Sequence, residues 1–261
     1  MTTVIVPVDF SETSLNAARY AATFLTGHDG VNLILYHSYH KAVEAPIATA
    51  TLEELKTDLN AHHPVNIEVL VFHDEDFVSG LEKTARHRSA NLIIMGITGR
   101  STLGQVFFGS NTLKMVETKV CPILIVPEHA VFVKMENVML TSDFKDTVNT
   151  TPSVPIKDFL SIYKPKLHVV NVDKDHYISL TEKYENEKRK LNELLKEYDP
   201  EFYFMRLYDI DEALNLFAHD MDIDLIIAVK RNHNFMEKLF KTSRTKKLSY
   251  QSKLPILVIH E

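Results

Sequence analysis

The sequence predicts two tandem α/β domains, each a five-stranded, mainly parallel sheet with helices on both faces. Three observations carry that prediction. Short apolar, β-branched runs alternate with stretches of helical periodicity, the pattern of a parallel sheet covered on both sides. The pattern then repeats. Leu92-Ile93-Ile94-Met95 matches Leu225-Ile226-Ile227-Ala228, and Cys121-Pro122-Ile123-Leu124-Ile125-Val126 matches Leu254-Pro255-Ile256-Leu257-Val258-Ile259, both shifted by 133 positions. The openings agree too, Val8-Asp9-Phe10-Ser11-Glu12-Thr13 against Ser142-Asp143-Phe144-Lys145-Asp146-Thr147, shifted by 134. Similar spacing across a whole half is duplication of a domain rather than a short solenoid repeat. The boundary is expected near Glu128 to Lys134, giving domains over 1–130 and 135–261. Third, four of the seven glycines cluster as Gly96, Gly99, Gly104 and Gly109, and none follows.

In the first half, Val4 to Val8 is an apolar strand. Ser11 can cap a helix whose stripe is Leu15, Ala18, Ala22 and Leu25, the spacing of a buried face. Val31 to His37 is a second strand, a polar helix follows around Leu52 to Asn60, and Asn66 to Phe72 is a third strand. Phe77, Leu81, Thr84 and Ala85 mark the next helix. Leu92 to Met95 is a strand, Ser110 to Thr118 a helix, and Pro122 to Val126 the last strand. The second half follows the same order, with strands at Asn137–Thr141, Lys166–Val172, Phe202–Leu207, Leu225–Val229 and Ile256–Ile259. A long charged helix near Tyr177 to Tyr198 places Leu180, Tyr184, Leu191, Leu194 and Tyr198 on one face, its tyrosines acting as core anchors. Ile210, Ala213, Leu214 and Phe217 stripe the helix after it.

At 261 residues, 45 % apolar and 25 % charged, the chain has the composition of a globular protein. A net charge of −6 argues against nonspecific nucleic-acid binding. The single cysteine, Cys121, precludes an internal disulfide, suits a reducing compartment and reads as a buried thiol. The amino terminus lacks a basic region and reads as a strand rather than a signal peptide. No apolar run reaches the roughly 18 residues of a membrane span. A cytoplasmic protein without membrane or nucleic-acid partners is expected. Thirteen histidines raise a metal hypothesis, with His37, His40, His62, His63 and His73 near strand and helix ends. None has the spacing of a zinc motif, and they read as surface and strand-end residues. There is no G-x-S-x-G elbow, so no nucleophilic triad is predicted.

Glycine costs backbone entropy and is kept where φ is positive or bare backbone must face a ligand. Strand, glycine loop and helix N-terminus together form an anion site, with amide N–H groups and the helix dipole aimed at phosphate. Two familiar phosphate loops are excluded. Gly99 to Gly104 has P-loop spacing, but Gln105 and Val106 stand where lysine and a hydroxyl are needed, which argues against efficient phosphoryl transfer. No G-x-G-x-x-G follows Val8, so the dinucleotide fingerprint is missing.

Gly96-x-x-Gly99, nine residues, then Gly109-Ser110 resembles the universal stress protein family in its ATP-binding branch. Pro7-Val8-Asp9-Phe10-Ser11 and Pro122-Ile123-Leu124-Ile125-Val126 resemble it too, and the resemblance covers both halves, as in a tandem member of the family. The resemblance implies a Rossmann-like, adenine nucleotide alpha hydrolase-like fold and a nucleotide lying across the carboxyl ends of the strands. Carried over, Pro7, Val8 and Asp9 border base and ribose, and Ser38 takes a base-contacting place where the family often has valine. Met95, Gly96 and Gly99 admit ribose and phosphates close to backbone, and Arg100 adds charge. Gly109, Ser110 and Asn111 hold the phosphates, Asn111 standing where threonine or valine is usual. The implied ligand is ATP, ADP or AMP, with magnesium as an optional companion. Plainer roles stay open: Asp9 or Ser110 as helix caps, and the glycines as a tight loop.

At the duplicated position Gly96, Gly99 and Gly109 become Val229, Asn232 and Thr242, so side chains fill the space of bare backbone and no ATP site is expected. The replacement loop is basic, with Lys230, Arg231, Lys238, Lys241, Arg244, Lys246 and Lys247, either a solvated face or a docking patch for an acidic partner. The expected protein is a nucleotide-binding stress-response regulator rather than an enzyme, its second domain a structural or docking copy. An unidentified protein partner is expected, with the halves packed as an intramolecular pseudo-dimer and further homodimerisation open. A slow ATPase in the same crevice, or a module for another ligand such as a lipid, are the alternatives.

Overall fold

β-Branched apolar runs become strands wherever both faces can be buried, and each half of the chain does this five times. The computed structural model describes residues 2–97, 110–173, 182–206, 210–230 and 254–261. They divide into two units that meet in sequence at Val133 and Lys134.

The first unit runs β1 (Thr2–Pro7), α1 (Glu12–Leu25), β2 (Val31–Tyr39), α2 (Glu44–His62), β3 (Asn66–His73), α3 (Phe77–His87), β4 (Leu92–Ile97), α4 (Ser110–Thr118) and β5 (Ile123–Pro127). Its strands are parallel in the order β3-β2-β1-β4-β5, with Ile5 level with Ile34 on one side and Ile93 on the other. Right-handed crossovers put α1 and α2 on one face and α3 and α4 on the other. The core is the β1, β2, β4 and β5 interior, from Ile5 and Ile34 to Ile93 and Leu124, all fully buried. Tyr20 and Phe24 of α1 take Phe132 edge-on at 5.6 and 5.4 Å. Asn16 donates to the carbonyls of Pro127 and Ala130 at 3.1 and 3.0 Å. The segment after β5 is thereby strapped to its own unit.

The second unit runs β6 (Asn137–Thr141), α5 (Thr147–Thr150), α6 (Ser153–Leu160), β7 (Lys166–Asp173), α7 (Glu182–Leu195), a 3-10 turn (Lys196–Tyr198), β8 (Glu201–Arg206), α8 (Ile210–Asp220), β9 (Leu225–Lys230) and β10 (Ile256–His260). Its parallel order, β8-β7-β6-β9-β10, is that of the first unit. The duplication extends to single hydrogen bonds. Val8 N–H donates to Tyr36 O at 2.8 Å, and Ser142 N–H to Val170 O at 3.0 Å. Thr3 N–H is held by the Asn91 side chain and Asn137 N–H by that of Asp224, each at 2.9 Å.

Several helices differ from the periodicity expected of them. On α1 the buried face is Ala17, Ala18, Tyr20, Ala21, Ala22, Phe24 and Leu25, while Leu15 is only half-buried. The helix is so rich in alanine that it seats its backbone close to the sheet. α2 starts eight residues before Leu52, because Ala48 extends the buried stripe of Leu52, Leu55 and Leu59 by one turn, Ala45 and Ala50 favour helix and Pro46 is tolerated in the first turn. α7 is described only from Glu182, and it buries Leu191 and Leu195 while Leu194 is half-buried. Tyr198 lies in the 3-10 turn and donates to Lys157 O at 2.9 Å. Leu180 and Tyr177 lie outside the described residues. Burial pushes the Cys121 thiol up to about 12, leaving it a poor nucleophile.

Candidate functional site

The order β3-β2-β1-β4-β5 changes direction between β1 and β4, and open parallel sheets take ligands outside the strands' carboxyl ends at such a reversal. The chain leaves β1 through Val8 and exposed Asp9, then turns at Phe10 with φ +64°, an unusual value for a bulky residue. That turn delivers Ser11 to the start of α1, where its hydroxyl accepts the Ser14 N–H at 3.3 Å. Ser11, not Asp9, is the cap. Asp9 supports it, Oδ1 accepting the Ser11 N–H at 3.0 Å and the Ser11 hydroxyl, while Asp9 N–H donates to Ser14 Oγ at 3.2 Å. Burial pushes the Asp9 carboxyl up, but the hydrogen bonds from Ser11, Ser14 and the backbone outweigh it and hold it below the usual aspartate value.

Pro7 and Val8 are buried, so their side chains form the floor of this corner. The Val8 carbonyl contacts His37 Nδ1 at 2.7 Å. A carbonyl only accepts, so Nδ1 carries the proton. The His37 ring lies 4.8 Å from that of Phe10. Met95 is buried and Gly96 half-buried on β4. A Cβ on Gly96 would sit 2.3 Å from Thr13 O and 2.7 Å from Thr13 C, so the first turn of α1 rests directly on this glycine. Thr112, buried on α4, donates to Gly96 O at 3.5 Å, with exposed Ser110 and Asn111 immediately before it. The structure thus gathers Pro7, Val8, Asp9, Met95, Gly96, Ser110 and Asn111 around the β1–β4 end, with half-buried Ser38 one strand away on β2. Gly99, Arg100 and Gly109 lie outside the described residues.

Four features escaped the sequence. His37 holds the carbonyl leaving β1, and Thr13 explains Gly96. Tyr36, fully buried, donates to Asp74 Oδ2 at 3.0 Å, and Asp74 in turn explains Gly80, where a Cβ would fall 1.4 Å from Oδ2. The available signal was Gly80 itself, an isolated glycine inside a helical stripe. The other histidines are engaged singly: His63 contacts the Thr23 and Thr26 hydroxyls at 3.3 and 3.2 Å, and His73 contacts His40 O at 3.2 Å. Among the described residues no three His, Cys, Asp or Glu side chains converge as metal ligands would.

A family model described as "Universal stress protein family" matches residues 1–127. The first half of this chain is a universal stress protein domain. A curated relative, the "Universal stress protein in QAH/OAS sulfhydrylase 3'region" of Thermus aquaticus, is 27 % identical over 134 residues, covering 48 % of this chain and 97 % of that protein. Solved structures extend the fold to both halves. A universal stress protein from Archaeoglobus fulgidus has a TM-score of 0.68 at 17 % identity, covering 99 % of this chain and 98 % of that one. A putative universal stress protein from Pseudomonas aeruginosa has a TM-score of 0.67 at 14 % identity, covering 100 % and 93 %.

Compared with the universal stress protein domain, the second unit keeps the turn but closes it. Asp143 Oδ1 accepts the Lys145 N–H at 3.1 Å, Phe144 has φ +51°, and Asn171 donates to Ser142 O at 2.8 Å where the first domain uses His37. Phe10 is half-buried, but Phe144 is only 3 % exposed, ringed by Tyr184, Phe204 and Phe202 at 5.0, 5.5 and 6.0 Å. Glu187 of α7 takes the Thr147 N–H and hydroxyl on Oε2 at 2.8 and 2.7 Å. The Lys190 ammonium, then Thr147, hold its carboxyl at about 2 despite burial. A helix of its own therefore covers the corner after β6. The sequence located closure in the lost glycines instead, of which Val229 is half-buried and Asn232 and Thr242 lie outside the described residues. Lys230, expected on a basic face, is buried, and the rest of that run is likewise undescribed.

Proposed function

We propose that the universal stress protein domain binds one adenine nucleotide at the β1–β4 corner and that the chain is a stress-response regulatory module of the cytoplasm. The second unit serves as a structural or docking copy for an unidentified protein partner. The observation that carries this reading is the convergence of Asp9, Gly96 and the α4 N-terminus at the reversal point of the sheet. A nucleotide there meets a carboxylate able to accept ribose hydroxyls and a helix start able to take phosphate. ATP, ADP and AMP share those groups, and magnesium would accompany only the polyphosphates.

The reading is of a binding protein rather than a catalyst. Asp9, the carboxylate at the corner, is held below its usual pKa by Ser11 and Ser14, which makes it a weak base. Closure of the corner after β6 by Phe144, Tyr184 and Glu187 supports a single site per chain.

The test is calorimetric titration of the full chain with ATP, ADP, AMP and cyclic nucleotides, with and without magnesium. One site per chain is expected, lost in Gly109→Val with secondary structure retained. Failure of every adenine nucleotide to bind, or binding unaltered by Gly109→Val, overturns the reading.

A further inference from the structure

Asp74 is placed with more care than a surface carboxylate needs. It follows β3, and its N–H donates to Tyr39 O at 3.2 Å, one residue beyond Ser38. Its Oδ2 accepts the phenol of fully buried Tyr36 at 3.0 Å. Tyr36 and Ser38 alternate on the same face of β2, with Ser38 level with Phe72 on β3. The carboxylate also occupies the space a side chain at Gly80 would need. Asp74 is half-buried, and among the described residues Oδ1 receives no hydrogen bond.

The fold does not require this arrangement. The second unit has the same strand order, and the register of β7 places Val170 where β2 has Tyr36. The C-terminal bonds of α3 and α8 align Thr84 with Phe217 and Ala85 with Ala218, and hence Gly80 with Ala213. All three replacements, Val170, Ala213 and Phe217, are buried. Phenol and bare backbone are kept only in the half with the candidate site.

We infer that Asp74, positioned by Tyr36 and Gly80, is the specificity-determining residue of that site and reads the exocyclic amine of an adenine base seated beside Ser38. The inference rests on the nucleotide-binding reading proposed above. An ionised carboxylate only accepts hydrogen bonds. It pairs with the 6-amino group of adenine and opposes the 6-oxo group of hypoxanthine or guanine, so attraction and repulsion favour the same base. Tyr36 occupies Oδ2 and leaves Oδ1 for the ligand.

The test is calorimetry of the full chain with AMP, IMP and purine riboside 5′-monophosphate, which lacks any 6-substituent. Wild type is expected to prefer AMP over both by roughly tenfold to a hundredfold, the range for a hydrogen bond to a charged group. Asp74→Asn keeps the shape and its oxygen still accepts from Tyr36, which leaves the amide NH2, a donor, facing the ligand, where it suits a 6-oxo group and opposes a 6-amino group. The AMP-to-IMP ratio should fall to one or below while phosphate-driven affinity persists. A structural role alone would shift the urea midpoint and leave that ratio intact. Wild type binding all three ligands equally overturns the inference, as does Asp74→Asn that retains the wild-type ratio. In both cases adenine-nucleotide binding itself stands. A wild-type chain that binds no adenine nucleotide at all overturns the nucleotide-binding reading, and this inference with it.

Discussion

At the scale of single residues, Gly96 shows how one position can answer to two demands. Its place in a phosphate-type loop pointed to a ligand, and the structure adds the carbonyl of Thr13, 2.3 Å from where a Cβ would stand. Gly96→Ala must push the first turn of α1 off β4. The expected cost is about 1–3 kcal/mol, the range for overpacking a tight interior. Urea denaturation without nucleotide measures it; unchanged stability would show that α1 yields freely. Gly80 has the same character with a different neighbour, the Asp74 carboxylate. Thr13 is remote from Gly96 in sequence, and Asp74, though close to Gly80, reaches it only because β3 hands over to α3 at that point, so the need for a glycine was legible but not the neighbour behind it.

Among the elements, α7 separates the two halves most sharply. Glu187 is lowered from 4.5 to about 2 through Lys190 and Thr147, so its contribution is complete above about pH 4.5 and lost as pH falls toward 2. Glu187→Gln keeps an acceptor for Thr147 but cannot titrate. The stability gap between wild type and variant should therefore shrink across that window, read from urea midpoints of the full chain. A gap independent of pH would place the charge elsewhere. The aromatic ring around Phe144 gives a second comparison within one molecule. Phe144→Ala empties a packed cluster and should cost about 3–5 kcal/mol, whereas Phe10→Ala, at a half-buried ring, should cost clearly less. Equal losses would mean that Phe10 is as enclosed as its twin.

For the whole molecule, the proposed reading gives one nucleotide site from a duplicated plan. A ligand that binds only the folded chain stabilises it by mass action, about 2.7 kcal/mol at a hundredfold excess over Kd. AMP or ATP should raise the unfolding midpoint of wild type by a corresponding amount and leave Gly109→Val unmoved. A rise of equal size in both proteins would place the ligand outside the glycine loop. No helix among the described residues is long and apolar enough to cross a membrane.

The sequence by itself determined the strand runs and the duplicated α/β plan, because periodicity is a local property, while Asp9, Ser38, Gly96 and Ser110 entered as candidate site residues through the glycine pattern and a family resemblance. The helix limits were less legible: α2 begins eight residues before its first buried leucine, on alanine propensity, and Leu195 rather than Leu194 turns inward on α7. Only the tertiary structure decided what touches those residues. His37 on the carbonyl leaving β1, Thr13 over Gly96, Tyr36 on Asp74 and Glu187 on Thr147 join separate elements. Such pairings depend on how helices seat on a sheet, and packing across distances of tens of residues leaves no periodic trace in the chain.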